Sequence, residues 1–213
     1  ISINNTINVT DQLIIRCNVK IIGNGYTLYN HIIDQPDISG TSILSTDPQK
    51  QVVIENLNFS GNRYDNRYSS SQKSQWNHCI YVPSDSTLSL YHCDIHDAWN
   101  HGASVYGTLY AQDCIFHDNN FSGIQMQENS TITLKSCQIS NNGGNPAKAY
   151  DQNGNQGNSY DGIAIFSARQ ISIQNCTLKD NFGQGISVCG NTTVEVKDTE
   201  ITANSIRGQN NAY

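Results

Sequence analysis

The sequence predicts an all-β solenoid, namely a parallel β-helix with coils of about 22 residues. Three observations predict this fold. Short segments alternate apolar and polar residues with a period of two, which is typical of half-buried strands. The same pattern returns at nearly constant spacing, which is typical of a repeat architecture. No segment shows the apolar periodicity of an amphipathic helix.

One strand pattern occurs six times and carries a column of small residues. The segments are 53–59, 90–95, 110–116, 132–139, 171–178 and 194–201, and the column is Leu57, Cys93, Cys114, Cys137, Cys176 and Thr199. Because the four cysteines alternate with polar residues and form no Cys-x-x-Cys pair, we interpret them as small buried hydrophobes. Cys79 and Cys189 lie outside the column, and we expect them to be exposed thiols.

A second short strand follows in five coils, at 79–82, 102–105, 123–126, 162–165 and 185–188. Its first residue, usually a glycine, recurs after 21 to 23 residues in the regular coils. A turn column between the two strands reads Asn62, Ala98, Asn119, Asn142, Asn181 and Asn204. Asn suits a repeated turn because it tolerates the left-handed backbone conformation and hydrogen bonds locally. Its side chains can also bond each other from coil to coil.

Stacking of coils at about 4.8 Å buries an apolar edge that no coil buries alone. We therefore expect a single domain over residues 1–213, with the segment 13–28 forming its first coils. Two coils are longer than the rest, because 17 residues separate Asn62 from Cys79 and 20 separate Asn142 from Gly162, against 4 in the regular coils. The insertions, at 63–76 and 143–160, enter at the same turn and are predicted to flank a substrate groove.

The insertions are rich in residues that bind sugars. The first carries Arg63, Arg67, Lys73 and Trp76, and the second carries Lys148, Tyr150 and Tyr160. Aromatic rings stack on the apolar faces of pyranoses, and arginine grips carboxylates through two parallel hydrogen bonds. These residues are the candidate substrate-binding set, together with Trp99 and Gln125 from the regular coils.

Composition excludes several classes of protein. Twelve basic and 18 acidic residues give a net charge of −6 without any basic run, which argues against a nucleic-acid partner. No apolar stretch reaches the roughly 18 residues that a membrane-spanning segment needs. The seven cysteines are an odd number, so at least one is unpaired within the chain.

The repeat resembles the right-handed parallel β-helices of the pectate-lyase-like superfamily, over roughly residues 52–204. That superfamily includes pectin and alginate lyases, mannuronan epimerases, polygalacturonases and phage tailspikes. The resemblance implies a protein that acts on a polysaccharide outside the cell, either extracellular or attached to a cell surface or virion. No signal peptide is visible at the start of the chain.

Four residues of the second strand and the turn before it are the candidate catalytic set. Tyr81 is expected to point outward, because Ile80 and Val82 point inward. His78, His101 and Asp161 directly precede the strand, and a turn that ends at glycine can swing them outward. Asp161 in the segment Tyr-Asp-Gly-Ile resembles the acidic catalytic residue of mannuronan epimerases, although their Asp-Pro-His-Glu motif is absent.

Several functions fit these residues. A lyase or C5-epimerase for a uronate polymer needs a base such as Tyr or His and a cation beside the substrate carboxylate. A glycoside hydrolase, for example a tailspike-like depolymerase, needs two carboxylates, and Asp161 with Asp65 or Asp151 would supply them. A non-catalytic polysaccharide-binding or adhesion module would share the repeat and the aromatic insertions. Lyase or epimerase chemistry is the leading hypothesis.

The sequence specifies neither a cofactor nor an oligomeric state. No metal site is predicted, but Ca²⁺ stays open because some members of the superfamily bind it through carboxylates. Asp97, Asp118 and Asp180 align before the Asn column, and we interpret them as turn-capping residues. Neither end of the chain shows a capping helix, so an oligomer such as a trimer is one arrangement that would cover the ends.

Overall fold

The structure, a computed structural model, describes residues 1–32, 42–62, 78–144 and 160–205. These residues contain 22 strands, numbered in chain order, in three sheets whose strand pairs are all parallel. None of the described segments is a helix long and apolar enough to cross a membrane. The prediction of an all-β parallel β-helix is confirmed.

Each coil passes through the three sheets in turn, so the strands of one sheet are three apart in the chain. Sheet A contains β3 (Val19–Ile22), β6 (Gln51–Glu55), β9 (Thr87–Tyr91), β12 (Thr108–Gln112), β15 (Thr131–Lys135), β18 (Gln170–Gln174) and β21 (Thr193–Lys197). Sheet B contains β1 (Ile7–Val9), β4 (Thr27–Asn30), β7 (Asn58–Ser60), β10 (Asp94–His96), β13 (Ile115–His117), β16 (Gln138–Ser140), β19 (Thr177–Lys179) and β22 (Glu200–Thr202). Sheet C contains β2 (Leu13–Ile15), β5 (Ser42–Thr46), β8 (His78–Val82), β11 (Ala103–Val105), β14 (Ile124–Met126), β17 (Ile163–Phe166) and β20 (Ile186–Cys189).

The core is one continuous column of inward-facing side chains. Leu90, Ala111 and Leu134 of sheet A are fully buried and stand in register on consecutive coils. The cysteine column is buried as well, and backbone N–H groups donate to its sulfur atoms, as from Cys93 to Cys114 Sγ at 3.4 Å. The interpretation of these cysteines as small core residues agrees with this burial.

The Asn column forms a buried ladder along the turn between sheets B and C. Asn119 Nδ2 donates to Asn142 Oδ1 at 2.9 Å, Asn142 Nδ2 to Asn181 Oδ1 at 3.0 Å, and Asn181 Nδ2 to Asn204 Oδ1 at 2.8 Å. Backbone N–H groups donate to the same oxygens, so the ladder satisfies buried amides that would otherwise lack partners.

The left-handed backbone conformation occurs one residue earlier than the sequence predicts in most coils. Asp97, Asp118, Asn141, Asp180 and Ala203 have φ between 51° and 56°, while of the Asn column only Asn62 does. The Asn side chains are needed inside the turn, and the preceding residue makes the bend. A second left-handed column, which the sequence analysis did not single out, joins sheets A and B at Asn56, His92, Asp113, Ser136, Asn175 and Asp198.

The glycines that precede the sheet C strands leave room for the side chains of the Asn ladder. A Cβ atom on Gly123 would lie 2.8 Å from Asn142 Nδ2 and 2.9 Å from the carbonyl oxygen of Gly162. In its own coil, Cys79 takes the position that glycine has in the other coils. The residue of the Asn column that faces it from the next coil is Ala98. Cys79 is fully buried, so the expectation that it is an exposed thiol is wrong. The small Ala98 leaves room for its side chain.

Candidate functional site

The outward positions of sheet C form a row that we call the groove face. Tyr81, Ser104, Gln125, Ala164 and Ser187 are in register on five consecutive coils. The side chains of Tyr81, Gln125 and Ser187 are half-buried, and those of Ser104 and Ala164 are buried. Burial raises the pKa of Tyr81, so its hydroxyl stays protonated at neutral pH.

At one edge of the groove face, the residues directly before the sheet C strands form a capping column of hydrogen bonds. The amide of Ser122 donates to His101 Nδ1 at 3.0 Å, the amide of Asp161 donates to Ser122 Oγ at 3.2 Å, and the amide of Gln184 donates to Asp161 Oδ1 at 2.7 Å. Each side chain therefore caps the backbone of the following coil. Ser187 Oγ also donates to Asp161 Oδ2, at 2.5 Å.

Aromatic rings stack along the same turn. His78 lies parallel to His101 with ring centroids 5.5 Å apart, and His101 contacts Phe121 at 5.7 Å. Phe121 contacts Tyr160 at 5.3 Å, and Tyr160 contacts Phe182 edge to face at 6.0 Å. These five rings form a continuous stack, which we call the aromatic support, along the turn between sheets B and C where both insertions enter.

The structure buries three of the four candidate catalytic side chains in this turn. His78, His101 and Asp161 are 5%, 2% and 6% exposed, so the expectation that the turn swings them outward is wrong. The capping column holds the side chains of His101 and Asp161 against the next coil, and His78 stacks on the ring of His101. His78 and His101 are adjacent, whereas Asp161 lies two coils beyond His101, about 10 Å along the axis.

The environment of the two histidines keeps them neutral. Burial lowers the pKa of His78 to about 4 and lowers the pKa of His101 well below its ordinary value of 6.5. Because Nδ1 of His101 accepts a hydrogen bond, the proton of its neutral ring is on Nε2. Neither nitrogen of His101 is then available as a base without breaking the capping column.

The candidate substrate-binding residues are distributed differently. Gln125 lies on the groove face, and Trp99 is half-buried beside Asn120, whose Nδ2 donates to the Trp99 carbonyl at 3.1 Å. Tyr160 is 2% exposed and packs in the aromatic support, which corrects its expected place on a groove wall. The other candidates lie outside the described residues, namely Arg63, Arg67, Lys73, Trp76, Lys148 and Tyr150.

A groove of about 510 Å³ borders the other edge of the groove face, at the turns between sheets C and A. We call it the C–A groove. Its lining includes Tyr106, Gln127, Glu128, Asn129, Phe166 and Cys189. Tyr106 also contacts Tyr81 of the groove face, with ring centroids 5.5 Å apart. The repeat pattern does not predict this groove, although Tyr106 and Phe166, directly after the second strand, are a visible aromatic signal in the sequence.

Comparison with known proteins agrees with this architecture. Residues 2–157, more than half of the chain, match the model of the family described as "Right handed beta helix region". The chain belongs to this family. The predicted right-handed parallel β-helix is therefore confirmed in its handedness as well as in its strand order.

Two solved structures resemble this right-handed β-helix. The crystal structure of pectate lyase Pel9A matches with a TM-score of 0.53 and 16% identity over 91% of this chain and 47% of that chain. A Geobacillus virus E2 protein, ORF18, matches with a TM-score of 0.42 and 10% identity over 96% of this chain and 50% of that chain. The chain thus spans about half the length of each. No curated protein matches the sequence.

A histidine pair lies on the outward face of sheet B of the β-helix. His96 and His117 stack with ring centroids 5.1 Å apart. His96 Nδ1 bonds to Asp97 at 2.8 Å, while His117 bonds to Asp118 through Nδ1 at 2.6 Å and lies 2.9 Å from Asp94 through Nε2. The bond to Asp94, followed by that to Asp118, raises the pKa of His117 to about 9. Both rings are partly exposed surface residues.

No three His, Cys, Asp or Glu side chains within the described ranges are placed to hold a metal ion. The carboxylate of Asp161, which the sequence puts nearest the groove face, is already bonded to Gln184 and Ser187.

Proposed function

We propose that this right-handed β-helix is a carbohydrate-active protein that binds a polysaccharide along the groove face. The observation that carries the proposal is the register of sheet C, which presents the partly exposed side chains of Tyr81, Gln125 and Ser187 on every second coil, about 10 Å apart. A phenol ring, a planar amide and a hydroxyl group at such a spacing can meet every second unit of an extended sugar chain.

The fold supports this proposal because one protein with the same architecture is a pectate lyase. A shared fold does not by itself transfer an activity. The groove face adds a physical reason, because it is long, polar and supported by a rigid stack of coils. A polymer lying along the coils would meet Tyr81, Gln125 and Ser187 in succession, and a small molecule would reach only one or two of them.

For the reaction, we propose lyase or C5-epimerase chemistry on a uronate-containing polymer, with Tyr81 as the acting residue. Of the four catalytic candidates, Tyr81 is the one that is part of the groove face and partly exposed. Its raised pKa keeps the phenol protonated, so Tyr81 would donate a proton to the leaving oxygen in elimination or to the far face of the sugar ring in epimerisation. The C5 proton would pass to a base from the insertions, whose sequence contains Asp65 and Asp151. His78, His101 and Asp161 would then act as positioning residues beneath the site.

The substrate carboxylate would need a cationic partner. The described part of the groove face carries no Lys or Arg. The partner would therefore come from Arg63, Arg67, Lys73 or Lys148, which the sequence places in the insertions. Uronate chemistry thus depends on the insertion that supplies this cation, and it is lost if that insertion is removed.

The alternative functions need different residues on the groove face. A glycoside hydrolase needs two free carboxylates, whereas Asp161 is bonded on both oxygens and the described groove face has no second one. Asp65 and Asp151 lie outside the described residues. A non-catalytic binding module needs only the groove face. Each of these functions would place the protein outside the cell or on a cell surface or virion, alone or as an oligomer such as a trimer.

The test is a screen of the purified chain against soluble uronate polymers and neutral polysaccharides, in H₂O and D₂O, with and without Ca²⁺. Retention on a polysaccharide gel shows binding, an unsaturated product shows elimination, deuterium at C5 shows epimerisation, and new reducing ends without unsaturation show hydrolysis. The proposal of polysaccharide binding is wrong if no polymer is retained. The proposal of lyase or epimerase chemistry is wrong if a bound polymer is returned unchanged or hydrolysed.

A further inference from the structure

We propose that the C–A groove is a second saccharide subsite, which stacks an uncharged sugar segment on Tyr106 and Phe166. The inference rests on the proposed function, because it assumes that a polysaccharide lies on the adjoining groove face. None of the candidate site residues predicted from the sequence lies in this groove. The inference therefore adds a new binding site, and it names the class of sugar that the site selects.

Two exposed aromatic rings provide the stacking surface. Tyr106 and Phe166 are each 36% exposed and both line the groove. They follow Val105 and Ile165, which are in register through Met126 on the coil between them. Two coils correspond to about 10 Å, close to the advance of two pyranose units in an extended chain. In a chain whose units alternate in orientation, the same sugar face would meet each ring.

The backbone beside each ring is hydrogen bonded to a neighbouring coil, because the Tyr106 amide donates to the Val82 carbonyl at 2.8 Å and the Ser167 amide donates to the Cys189 carbonyl at 2.8 Å. The turns of the adjacent coils, at 83–86 and 127–130, are held by serine hydroxyls. Ser86 Oγ donates to the Pro83 carbonyl at 2.7 Å, and Ser130 Oγ donates to the Gln127 carbonyl at 2.6 Å. Both serines are buried. Gly107, next to Tyr106, has no room for a side chain, because its Cβ would lie 2.2 Å from the Pro83 carbonyl oxygen. A platform fixed in this way loses little conformational entropy when a sugar binds.

The polar lining suits hydroxyl groups and disfavours carboxylates. Gln127 and Asn129 supply planar amides that both donate and accept hydrogen bonds. Glu128 is the single charged residue among the eight that line the groove. Its carboxylate accepts hydrogen bonds from sugar hydroxyls and repels a uronate. The groove therefore selects the uncharged units of a polymer.

Cys189 gives a direct readout of occupancy. It lines the groove, its thiol is free, and Cys17 is a second exposed thiol remote from the groove. A soluble neutral β-linked glucan oligosaccharide is expected to slow the alkylation of Cys189 by iodoacetamide several-fold, while the alkylation of Cys17 is unchanged. Mass spectrometry of the two peptides measures both rates in one sample.

Variants separate this subsite from the groove face. Tyr106→Ala and Phe166→Ala should each weaken the oligosaccharide about tenfold and abolish the protection of Cys189. Tyr29→Ala removes an equally exposed ring from sheet B and should change neither. Glu128→Gln should leave the neutral oligosaccharide bound and increase affinity for a galacturonate oligomer several-fold.

The inference is overturned if the neutral oligosaccharide leaves Cys189 unprotected, or if the Tyr106 and Phe166 variants bind it like the wild type. It is also overturned if they weaken the neutral and the uronate oligomer equally. In these cases retention of a polymer by the wild type still supports the proposed function. Failure of every polymer to bind overturns both.

Discussion

The amide of Ser122 donates a hydrogen bond to Nδ1 of buried His101 on the preceding coil. The same relationship continues through Ser122 to Asp161 and from Asp161 to Gln184. Residues that suggest catalysis in the sequence therefore hold the coils together in the structure. Their substitution should change stability before it changes chemistry.

Replacing His101 by Phe keeps a ring between His78 and Phe121 but removes the acceptor for the Ser122 amide. A buried amide without a partner costs about 1–3 kcal/mol. We expect the free energy of unfolding in urea to fall by that amount, with substrate affinity retained. Unchanged stability together with lost turnover would show that His101 is catalytic instead.

Asp161 offers a sharper separation of structure from chemistry. Asn at this position keeps an oxygen acceptor for the Gln184 amide, whereas Ala removes it. We expect Asp161→Ala to destabilise the fold by about 1–3 kcal/mol and Asp161→Asn to restore most of the loss. Activity of the two variants should follow their stability. An inactive but stable Asp161→Asn variant would identify a catalytic carboxylate.

The Asn ladder should tolerate little change at its centre. Asn142 makes hydrogen bonds through both side-chain atoms to Asn119, Asn181 and the Phe116 carbonyl. Asn142→Ala leaves several buried groups without partners, at about 1–3 kcal/mol each. Asn204→Ala, at a partly exposed rung, is the matched control and should cost less. Equal losses in thermal unfolding would contradict the ladder's role.

Cys79 and Ala98 are expected to be coupled. Ala98→Asn places a ladder residue against the Cys79 side chain and should destabilise the fold. Adding Cys79→Gly then opens the space that glycine leaves for the Asn side chain in the other coils. The double variant should recover about 1 kcal/mol or more of the loss, which is typical of residues in contact. Additive changes in a double-mutant cycle would show that the two positions are independent.

Stability should be greatest near pH 6.5 and fall on both sides. His78 has a folded pKa of about 4, so the unfolded chain binds more protons between pH 6.5 and 4 and stability decreases as pH falls. The loss is on the order of 3 kcal/mol. His117 has a folded pKa of about 9, so its stabilising contribution is lost as pH rises from 6.5 to 9.

Urea unfolding at several pH values tests the acid limb and the alkaline limb of this stability profile. Buried His101, whose pKa is also lowered, contributes to the acid limb, so His78→Phe should make that limb shallower without abolishing it. His117→Gln should flatten the alkaline limb only. The account of the two environments is wrong if either variant flattens the opposite limb. His117 is partly exposed, so its limb should be the shallower and should weaken in high salt.

The sequence predicts the repeat well because each coil uses the same few interactions. The Gly and Asn columns are readable since Gly123 must leave room for Asn142, and every regular coil repeats that requirement. The burial of Cys79 escapes prediction because it depends on Ala98 in the neighbouring coil. A single-coil pattern does not contain that information.

The candidate site is less predictable for the same reason. Alternation correctly puts Tyr81 on the outward row of sheet C, since a strand fixes the direction of its side chains. His101 and Asp161 stand in a turn, where direction depends on which amide of the next coil needs an acceptor. The C–A groove is assembled from turns of several coils, so its shape becomes visible only after stacking.

The most direct test of polysaccharide binding along the groove face is hydroxyl-radical footprinting with the polymer that the screen retains most strongly. We expect oxidation of Tyr81 to slow several-fold on binding, while oxidation of Tyr29, on sheet B, stays the same. Protection of Tyr29 without protection of Tyr81, or no protection of either, would contradict the account.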